Sequence, residues 1–289
     1  MEYVHSEYLI DVDALNQQLT APNLRLFDAA VFLHPKSGGG YQADSGLDSY
    51  HTAHIPGAGF IDLVSAWADT RSPLNFTLPD AEALAQNIGD SGISADHEVV
   101  LYSSGHIMWA TRAWWLLHCA GHNRVRVLNG SFQAWRAQGL AIETGHHDYP
   151  SCEFTAEPRR EVFAGLDEVE NGMHGQVCTV NALSPALYEG SGDFYYQRRG
   201  HIPGSLPLFY DHILDNEHFL PAEQLATTLE GQGMLSAQRV ITYCGGGIAA
   251  TVNAFACKLM GQDNVAVYDG SMSEWVQDAG RPLTEGATP

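Results

Sequence analysis

Residues 239–259 have the sequence RVITYCGGGIAATVNAFACKL, in which one cysteine and three glycines separate two apolar segments. The run Val240–Tyr243 predicts a buried strand, and the stretch from Ala249 onward predicts a helix that Gly261 ends. Cys244 is therefore expected at the carboxyl end of a strand, the place where open α/β sheets hold their ligands.

The residues after the cysteine predict a loop that can hold an anion. Glycines permit positive φ angles and close backbone approach, so several N–H groups can converge on the cysteine sulfur. Converging amides at a helix N-terminus lower the pKa of a thiol and also stabilise a persulfide anion. The alternative is a tight turn with a small buried cysteine. The predicted loop comprises Gly245, Gly246, Gly247, Ile248, Ala249 and Ala250.

Three segments of the chain occur twice, in the same order. HIPGAGFIDL from His54 returns as HIPGSLPLFY from His201. VVLYSSG returns as VITYCGG, and VRVLNGSFQAW returns as VAVYDGSMSEW, each roughly 140 residues later. Solenoid units repeat at roughly 20 to 50 residues, so a period this long indicates two tandem domains of one fold.

Within each copy, short β-branched runs alternate with helical stretches. This pattern predicts an α/β fold with two tandem domains, each a parallel sheet flanked by helices. We place the domains at residues 1–148 and 149–289. The join falls in the polar stretch TGHHDYPSCEFTAEPRR, where we expect few contacts to cross.

The charge balance argues against nucleic acids and membranes as partners. The chain has 34 acidic and 14 basic residues and a formal net charge of -20, so anionic surfaces repel it. No basic region followed by an apolar run marks the N-terminus, and no segment approaches 18 uninterrupted apolar residues. We expect a cytoplasmic protein.

The five cysteines fit neither a disulfide framework nor a zinc site, because they are widely spaced and form no CxxC pair. We interpret Cys119, Cys152, Cys178 and Cys257 as structural or incidental. His146 and His147 lack supporting ligand spacing, so we predict no metal, and nothing in the sequence indicates a cofactor.

The CGGGIAA loop resembles the active loop of rhodaneses and mercaptopyruvate sulfurtransferases. Both HIPG motifs, TRAWWLLHCAGH and the pair NGSFQAW and DGSMSEW are similar to markers of that family across nearly the whole chain. The resemblance implies two rhodanese domains with a cleft between them. It also implies that Cys244 carries sulfur as a persulfide from a small anionic donor, thiosulfate or 3-mercaptopyruvate. The acceptor would be cyanide in an assay, or a thiol such as thioredoxin or glutathione.

The first domain lacks the reactive cysteine, because Tyr102-Ser103 replaces Tyr243-Cys244. We expect it to shape the cleft, with His106 as an interdomain contact. Met108, Trp109 and Arg112 are candidates to face the cleft, and the alternative for Trp109 is a role in the helix core.

The chain departs from the family at the residues that bind the donor. Family members carry an aspartate-alanine-arginine run where this chain has Asn181-Ala182-Leu183. We expect Arg199, or else Arg198 or Arg112, to supply the missing cation to a carboxylate or sulfonate. The alternative for Arg198 and Arg199 is a solvated loop.

Two other functions remain open at this point. In a phosphatase of the same fold, five residues separate the cysteine from an arginine that binds phosphate. This chain has Ala250 at the position of that arginine. A non-catalytic binding module would suit the first domain alone, but the cysteine loop of the second domain argues against it for the whole chain.

Overall fold

Two parallel sheets of five strands each form the framework of the protein. The computed structural model describes residues 1–37, 40–173, 175, 177–192 and 196–289. In the described part, the strands of the first half are β1 (Leu9–Ile10), β2 (Leu24–Asp28), β3 (Val31–Pro35), β4 (Tyr41–Ser45), β5 (Gly59–Phe60), β6 (Glu98–Tyr102) and β7 (Val125–Leu128). Its helices are α1 (Val12–Gln18), α2 (Leu47–Thr52), α3 (Ala81–Asp90), α4 (Ile107–Cys119) and α5 (Ser131–Ala137).

The second half repeats this arrangement. Its strands are β8 (Phe163–Ala164), β9 (Cys178–Asn181), β10 (Leu206–Pro207), β11 (Leu214–Asp215), β12 (His218–Phe219), β13 (Val240–Tyr243) and β14 (Val265–Tyr268). Its helices are α6 (Leu166–Gly172), α7 (Pro185–Glu189), α8 (Ala222–Glu230), α9 (Ala250–Leu259) and α10 (Ser271–Trp275).

The strand order is the same in both sheets. The first sheet runs β1-β7-β6-β2-β5 and the second, from the equivalent edge, runs β8-β14-β13-β9-β10, with parallel pairing throughout. The antiparallel pair β3–β4 is an addition in the first half, and β11–β12 is a short pair in the second. The predicted α/β repeat is confirmed.

The HIPG turns have the same structural role in each half. The rings of His54 and His201 are fully buried and stack on Tyr50 and Tyr188, with centroids 4.2 Å and 3.7 Å apart. The backbone N–H of the following isoleucine donates to the tyrosine hydroxyl at the end of the central strand, at 3.1 Å in the first half and 3.0 Å in the second. These contacts anchor each turn to its own sheet.

The two halves meet through α4 and α9. The hydroxyls of Thr111 and Thr251 lie 2.7 Å apart, and the rings of Trp114 and Phe255 pack edge to face at 4.9 Å. Buried apolar side chains form a cluster that continues from one half into the other. Both loops that begin these helices therefore lie near the boundary between the halves.

The segment after the first half packs closely against that half. The N–H of Cys152 donates to the Gly89 carbonyl, and the N–H of Glu157 donates to the Ala120 carbonyl, each at 2.9 Å. The ring of Tyr149 packs edge to face on Phe27 at 5.3 Å. The boundary after residue 148 stays a prediction, but this segment is attached to the first half.

No helix among the described residues is both long and apolar enough to span a bilayer.

Candidate active site

Cys244 directly follows β13 and is 2% exposed. Its backbone N–H donates to Ser271 Oγ at 3.1 Å, and the N–H of Gly247 donates to the same oxygen at 3.1 Å. Ser271 Oγ in turn donates to the Tyr268 carbonyl at 2.7 Å. One serine thus ties both ends of the cysteine loop to the end of β14.

The loop needs glycine at two of its positions. Gly247 has a φ of +75°, and a Cβ there would lie 2.6 Å from the Asp269 carbonyl oxygen. A Cβ on Gly245 would lie 1.9 Å from the hydroxyl of Tyr196. The glycines therefore allow the backbone to approach Asp269 and a tyrosine hydroxyl more closely than any other residue could.

Five amides of the loop have no acceptor in the described part of the chain: Gly245, Gly246, Ile248, Ala249 and Ala250. They immediately precede or begin α9, so the partial positive charge of the helix N-terminus adds to their dipoles. A run of unpaired donors at a helix start is suited to an anion.

Arg112 connects the loop to the first half. Its guanidinium is 1% exposed and lies 2.7 Å from Asp269 Oδ1 in an ionic contact whose geometry is not that of a hydrogen bond. It also donates to the carbonyls of Phe76 at 2.6 Å and Gly247 at 3.3 Å.

Each half extends a short strap over the loop of the other half. In the first strap, residues 72–78, the N–H of Leu78 donates to Asp269 Oδ2 at 2.8 Å. In the second strap, residues 215–219, the N–H of Phe219 donates to Asn129 Oδ1 at 2.9 Å. Phe76 and Glu217 hold matching positions with φ values of +61° and +67°.

In the first half, other groups occupy the positions equivalent to the cysteine and to the start of its helix. Ser103 replaces the cysteine, and its N–H donates to Ser131 Oγ at 2.8 Å, as Cys244 does to Ser271. The carboxylate of Glu217 accepts from the N–H of Ile107 at the start of α4 and lies 3.2 Å from His106 Nε2. His106 therefore contacts the other half, as expected.

A cavity of about 550 Å³ opens over the cysteine loop. Met108 and Trp109, predicted to face the cleft, line it together with Leu183. Its other described lining residues are Leu33, Gly40, Tyr41, Ala43, Pro73, Leu74, Asn75, Phe76, Ser184, Leu187, Tyr196, Phe209, Tyr210, Cys244, Gly245, Gly246, Ile248, Ala249 and Ser273.

The three arginines proposed for the donor are not among these lining residues. Arg112 is engaged by Asp269 and by two carbonyls and so bridges the halves, while its expected contact with the donor stays a prediction. Arg198 donates to the carbonyls of Asp278 at 2.8 Å and Arg281 at 2.7 Å. Arg199 is exposed and reaches the Gly190 carbonyl at 3.5 Å.

The other four cysteines lie outside the cavity lining. Burial raises the pKa of Cys119 and of Cys178 to about 11, and burial also raises the pKa of Cys257 and Cys152. A raised pKa leaves less of the nucleophilic thiolate at neutral pH.

The sequence pattern did not reveal the residues that support the loop from other segments. Ser271 and Asp269 belong to the repeated DGSMSEW segment, so a signal existed, but nothing in it indicated their partners. Tyr196, Tyr210 and the straps lie in loops and in elements too short to show periodicity. Among the described residues, no cluster of three or more His, Cys, Asp or Glu could hold a metal ion.

The rhodanese-like domain family matches residues 11–138 and 180–278. The chain belongs to this family. The 3-mercaptopyruvate sulfurtransferase of Escherichia coli K12 is 28% identical over 279 residues, covering 96% of this chain and 97% of the relative. A probable 3-mercaptopyruvate sulfurtransferase of Pseudomonas aeruginosa is 32% identical over 295 residues, covering 97% and 99%. A thiosulfate sulfurtransferase of Cricetulus griseus is 32% identical over 265 residues, covering 89% and 86%.

Comparison with solved structures gives the same family. The crystal structure of SseA from Escherichia coli, a 3-mercaptopyruvate sulfotransferase, superposes with a TM-score of 0.82 at 28% identity, covering 91% of this chain and 98% of that one. The predicted rhodanese fold and the predicted enzyme class, a sulfurtransferase, are confirmed.

Proposed function

We propose that Cys244 is the sulfur carrier of this rhodanese-family sulfurtransferase and that the unpaired amides of its loop hold the transferred sulfur. The observation that carries the proposal is the set of five unpaired N–H donors beside the cysteine, at the start of α9 and facing no acceptor in the described residues. These donors stabilise the thiolate before the reaction and the persulfide anion after it.

A comparison of the two halves supports this assignment. In the first half, the start of α4 is capped by the carboxylate of Glu217, an anion supplied by the other half. At the matching position of the first strap, which lies over the loop of the second half, Phe76 offers no charge, so this strap brings no anion to the start of α9. A persulfide on Cys244 supplies the negative charge that Glu217 supplies in the first half.

The reaction has two displacement steps. The Cys244 thiolate attacks the outer sulfur of the donor, the bond from that sulfur to the rest of the donor breaks, and its electron pair leaves with the donor remnant. A thiol acceptor, such as thioredoxin or glutathione, then attacks the outer sulfur as a thiolate, and Cys244 leaves as a thiolate. Thiosulfate and 3-mercaptopyruvate, the donors for which the relatives are named, are the reference donors.

The test is labelling of the cysteine by donor. Intact-mass and peptide mass spectrometry of donor-treated protein should show a gain of one sulfur atom on the peptide that carries Cys244. Cys244→Ser should abolish both the gain and turnover, whereas Cys152→Ser, which changes a partly exposed thiol outside the cavity, should retain both. Sulfur on Cys152 or Cys119 instead, or Cys244-dependent hydrolysis of an aryl phosphate, would contradict the proposal.

A further inference from the structure

The cavity over Cys244 carries no formal charge among its described lining residues. They include no Lys, Arg, His, Asp or Glu. Their polar side-chain groups are the Cys244 thiol, the Trp109 indole N–H, the Asn75 amide and the hydroxyls of Tyr41, Ser184, Tyr196, Tyr210 and Ser273. The residues outside the described part, at positions 38, 39, 174, 176 and 193–195, include no Lys or Arg. A donor that carries a carboxylate or sulfonate therefore finds no guanidinium or ammonium in this lining.

The guanidinium nearest the loop is committed elsewhere. Arg112 contacts Asp269 and the carbonyls of Phe76 and Gly247, so its donors are engaged by protein groups. Moving it toward a donor would leave the carboxylate of Asp269 without its ion-pair partner, which is costly inside a protein.

Acidic groups lie near the wall of the cavity at Tyr210. Burial raises the pKa of Tyr210 to about 12, and the neighbouring Asp211, Glu217 and Cys244 add to the effect. Tyr210 is therefore a neutral hydrogen-bond donor at physiological pH. The chain as a whole also carries a formal charge of -20, so neither the local nor the overall field attracts an anionic tail.

Aromatic rings form much of the wall. Phe76 packs on Trp109 with centroids 5.2 Å apart, and Phe209 packs on Tyr210 at 4.8 Å. The volume of about 550 Å³ falls in the range of sites for drug-sized molecules, so a donor with only a handful of non-hydrogen atoms leaves most of it empty.

We infer that the preferred donor is an organic hydropersulfide with an uncharged, aromatic body, an inference that rests on the proposed sulfur transfer through Cys244. In such a donor the outer sulfur, which the loop amides hold, is the only ionisable group, while the uncharged body contacts the aromatic wall. A carboxylate on the same body would enter an uncharged, partly apolar cavity without a counter-ion, which is unfavourable.

The step balances without any oxidant or reductant. The Cys244 thiolate attacks the outer sulfur of R–S–SH, the S–S bond breaks, and the electron pair leaves on the R–S⁻ thiolate. Cys244 then carries the outer sulfur and its proton as a persulfide, and R–S⁻ takes up a proton from water.

A matched pair of donors tests the inference. Benzyl hydropersulfide and 4-carboxybenzyl hydropersulfide have the same transferred sulfur and the same ring, and they differ in one carboxylate. Single-turnover formation of the Cys244 persulfide, followed by mass spectrometry, should be at least about 10-fold more efficient with the benzyl compound. It should also be more efficient than with thiosulfate or 3-mercaptopyruvate. Equal or better transfer from the carboxylated donor overturns the inference.

A variant should reverse the preference. Leu183 lines the cavity, so Leu183→Arg places a cation there, whereas Leu183→Gln adds polarity without charge. Leu183→Arg should improve use of the carboxybenzyl donor by about 10-fold relative to the benzyl donor, and Leu183→Gln should leave the ratio unchanged. An unchanged ratio in folded Leu183→Arg also counts against the inference. If this variant fails to fold, the wild-type donor comparison decides alone.

The outcomes separate this inference from the proposed function. If no donor of either kind places sulfur on Cys244, the proposed carrier is wrong. If both kinds do so and the charged donors are preferred, the carrier stands and the inference about the donor body fails.

Discussion

At the scale of single residues, the cysteine loop is held by a serine whose role is duplicated in the first half. Ser271 accepts from the amides of Cys244 and Gly247, and Ser131 accepts from the amide of Ser103. Both serines have positive φ, at +48° and +55°. The repeat therefore supplies a control residue with the same local geometry and no reactive cysteine beside it.

Ser271→Ala should lower kcat/KM for sulfur transfer by about 10-fold, because two amides lose their acceptor and the loop loses its fixed shape. Ser131→Ala removes a comparable hydrogen bond from the first half. It should lower thermal stability about as much as Ser271→Ala does, while kcat/KM stays within about twofold of wild type. Steady-state kinetics and thermal unfolding of both variants check this. Equal activity losses in the two variants would show that the effect is on overall stability.

A second residue, Asp28, should make the stability of the protein depend on pH. Its carboxyl is fully buried at the end of β2, and burial raises its pKa to about 6. Its Oδ1 accepts from the amides of Ala30 and Ser104, each at 3.0 Å. The folded-state pKa lies above the unfolded value, so this contribution is fully present below about pH 4 and is lost as the pH rises through 6.

Asp28→Asn should therefore raise the free energy of unfolding at pH 8 by roughly 2 to 3 kcal/mol and change it little at pH 4. The second half already has an amide at the equivalent position, because Asn181 Oδ1 accepts from the Leu183 amide at 2.7 Å. Urea unfolding of both proteins at the two pH values measures the difference. A gain that is the same at pH 4 and pH 8 would rule out ionisation of Asp28 as its cause.

At the scale of elements, the sequence predicts what periodicity and repetition encode. Val240–Tyr243 is the predicted strand β13, and α9 is the predicted helix after the glycines. Both follow from local pattern, since a buried parallel strand is a short apolar run and a helix needs a longer one. The same reasoning placed Cys244 at a strand end, which the structure confirms.

The straps could not be predicted in this way. Residues 72–78 are irregular, residues 215–219 form the end of the short β11–β12 pair, and both straps make hydrogen bonds to the opposite half, such as that from Leu78 to Asp269. The protein partners of Arg112 could not be predicted for the same reason. The position of Arg112 on a helix could be predicted, but the acidic residue that contacts it follows a strand roughly 150 residues away in sequence.

At the scale of the whole molecule, the two halves exchange supports across their interface. The strap of each half is held by the residue after the last central strand of the other, Asp269 or Asn129. The first half therefore does more than cover the cavity, because through Arg112 it also contacts the Gly247 carbonyl in the cysteine loop. The cysteine loop is thus supported by both halves.

The Arg112–Asp269 pair should be strongly coupled, because each side chain compensates the other's charge at the interface. Arg112→Met and Asp269→Asn should each lower the free energy of unfolding by about 3 to 5 kcal/mol, since each leaves a charge without its partner. The double variant leaves no unpaired charge, so its loss should be smaller than the sum of the single losses by about 1 to 3 kcal/mol. Urea unfolding of the four proteins, followed by circular dichroism, measures this coupling.

The same variants test whether the bridge supports the active loop as well as the interface. In the double variant the Gly247 and Phe76 carbonyls still lack the guanidinium, so kcat/KM should stay well below wild type even where stability is partly regained. Strictly additive losses of stability would show that the two side chains act independently. Recovery of activity in parallel with stability would assign Arg112 to the interface alone.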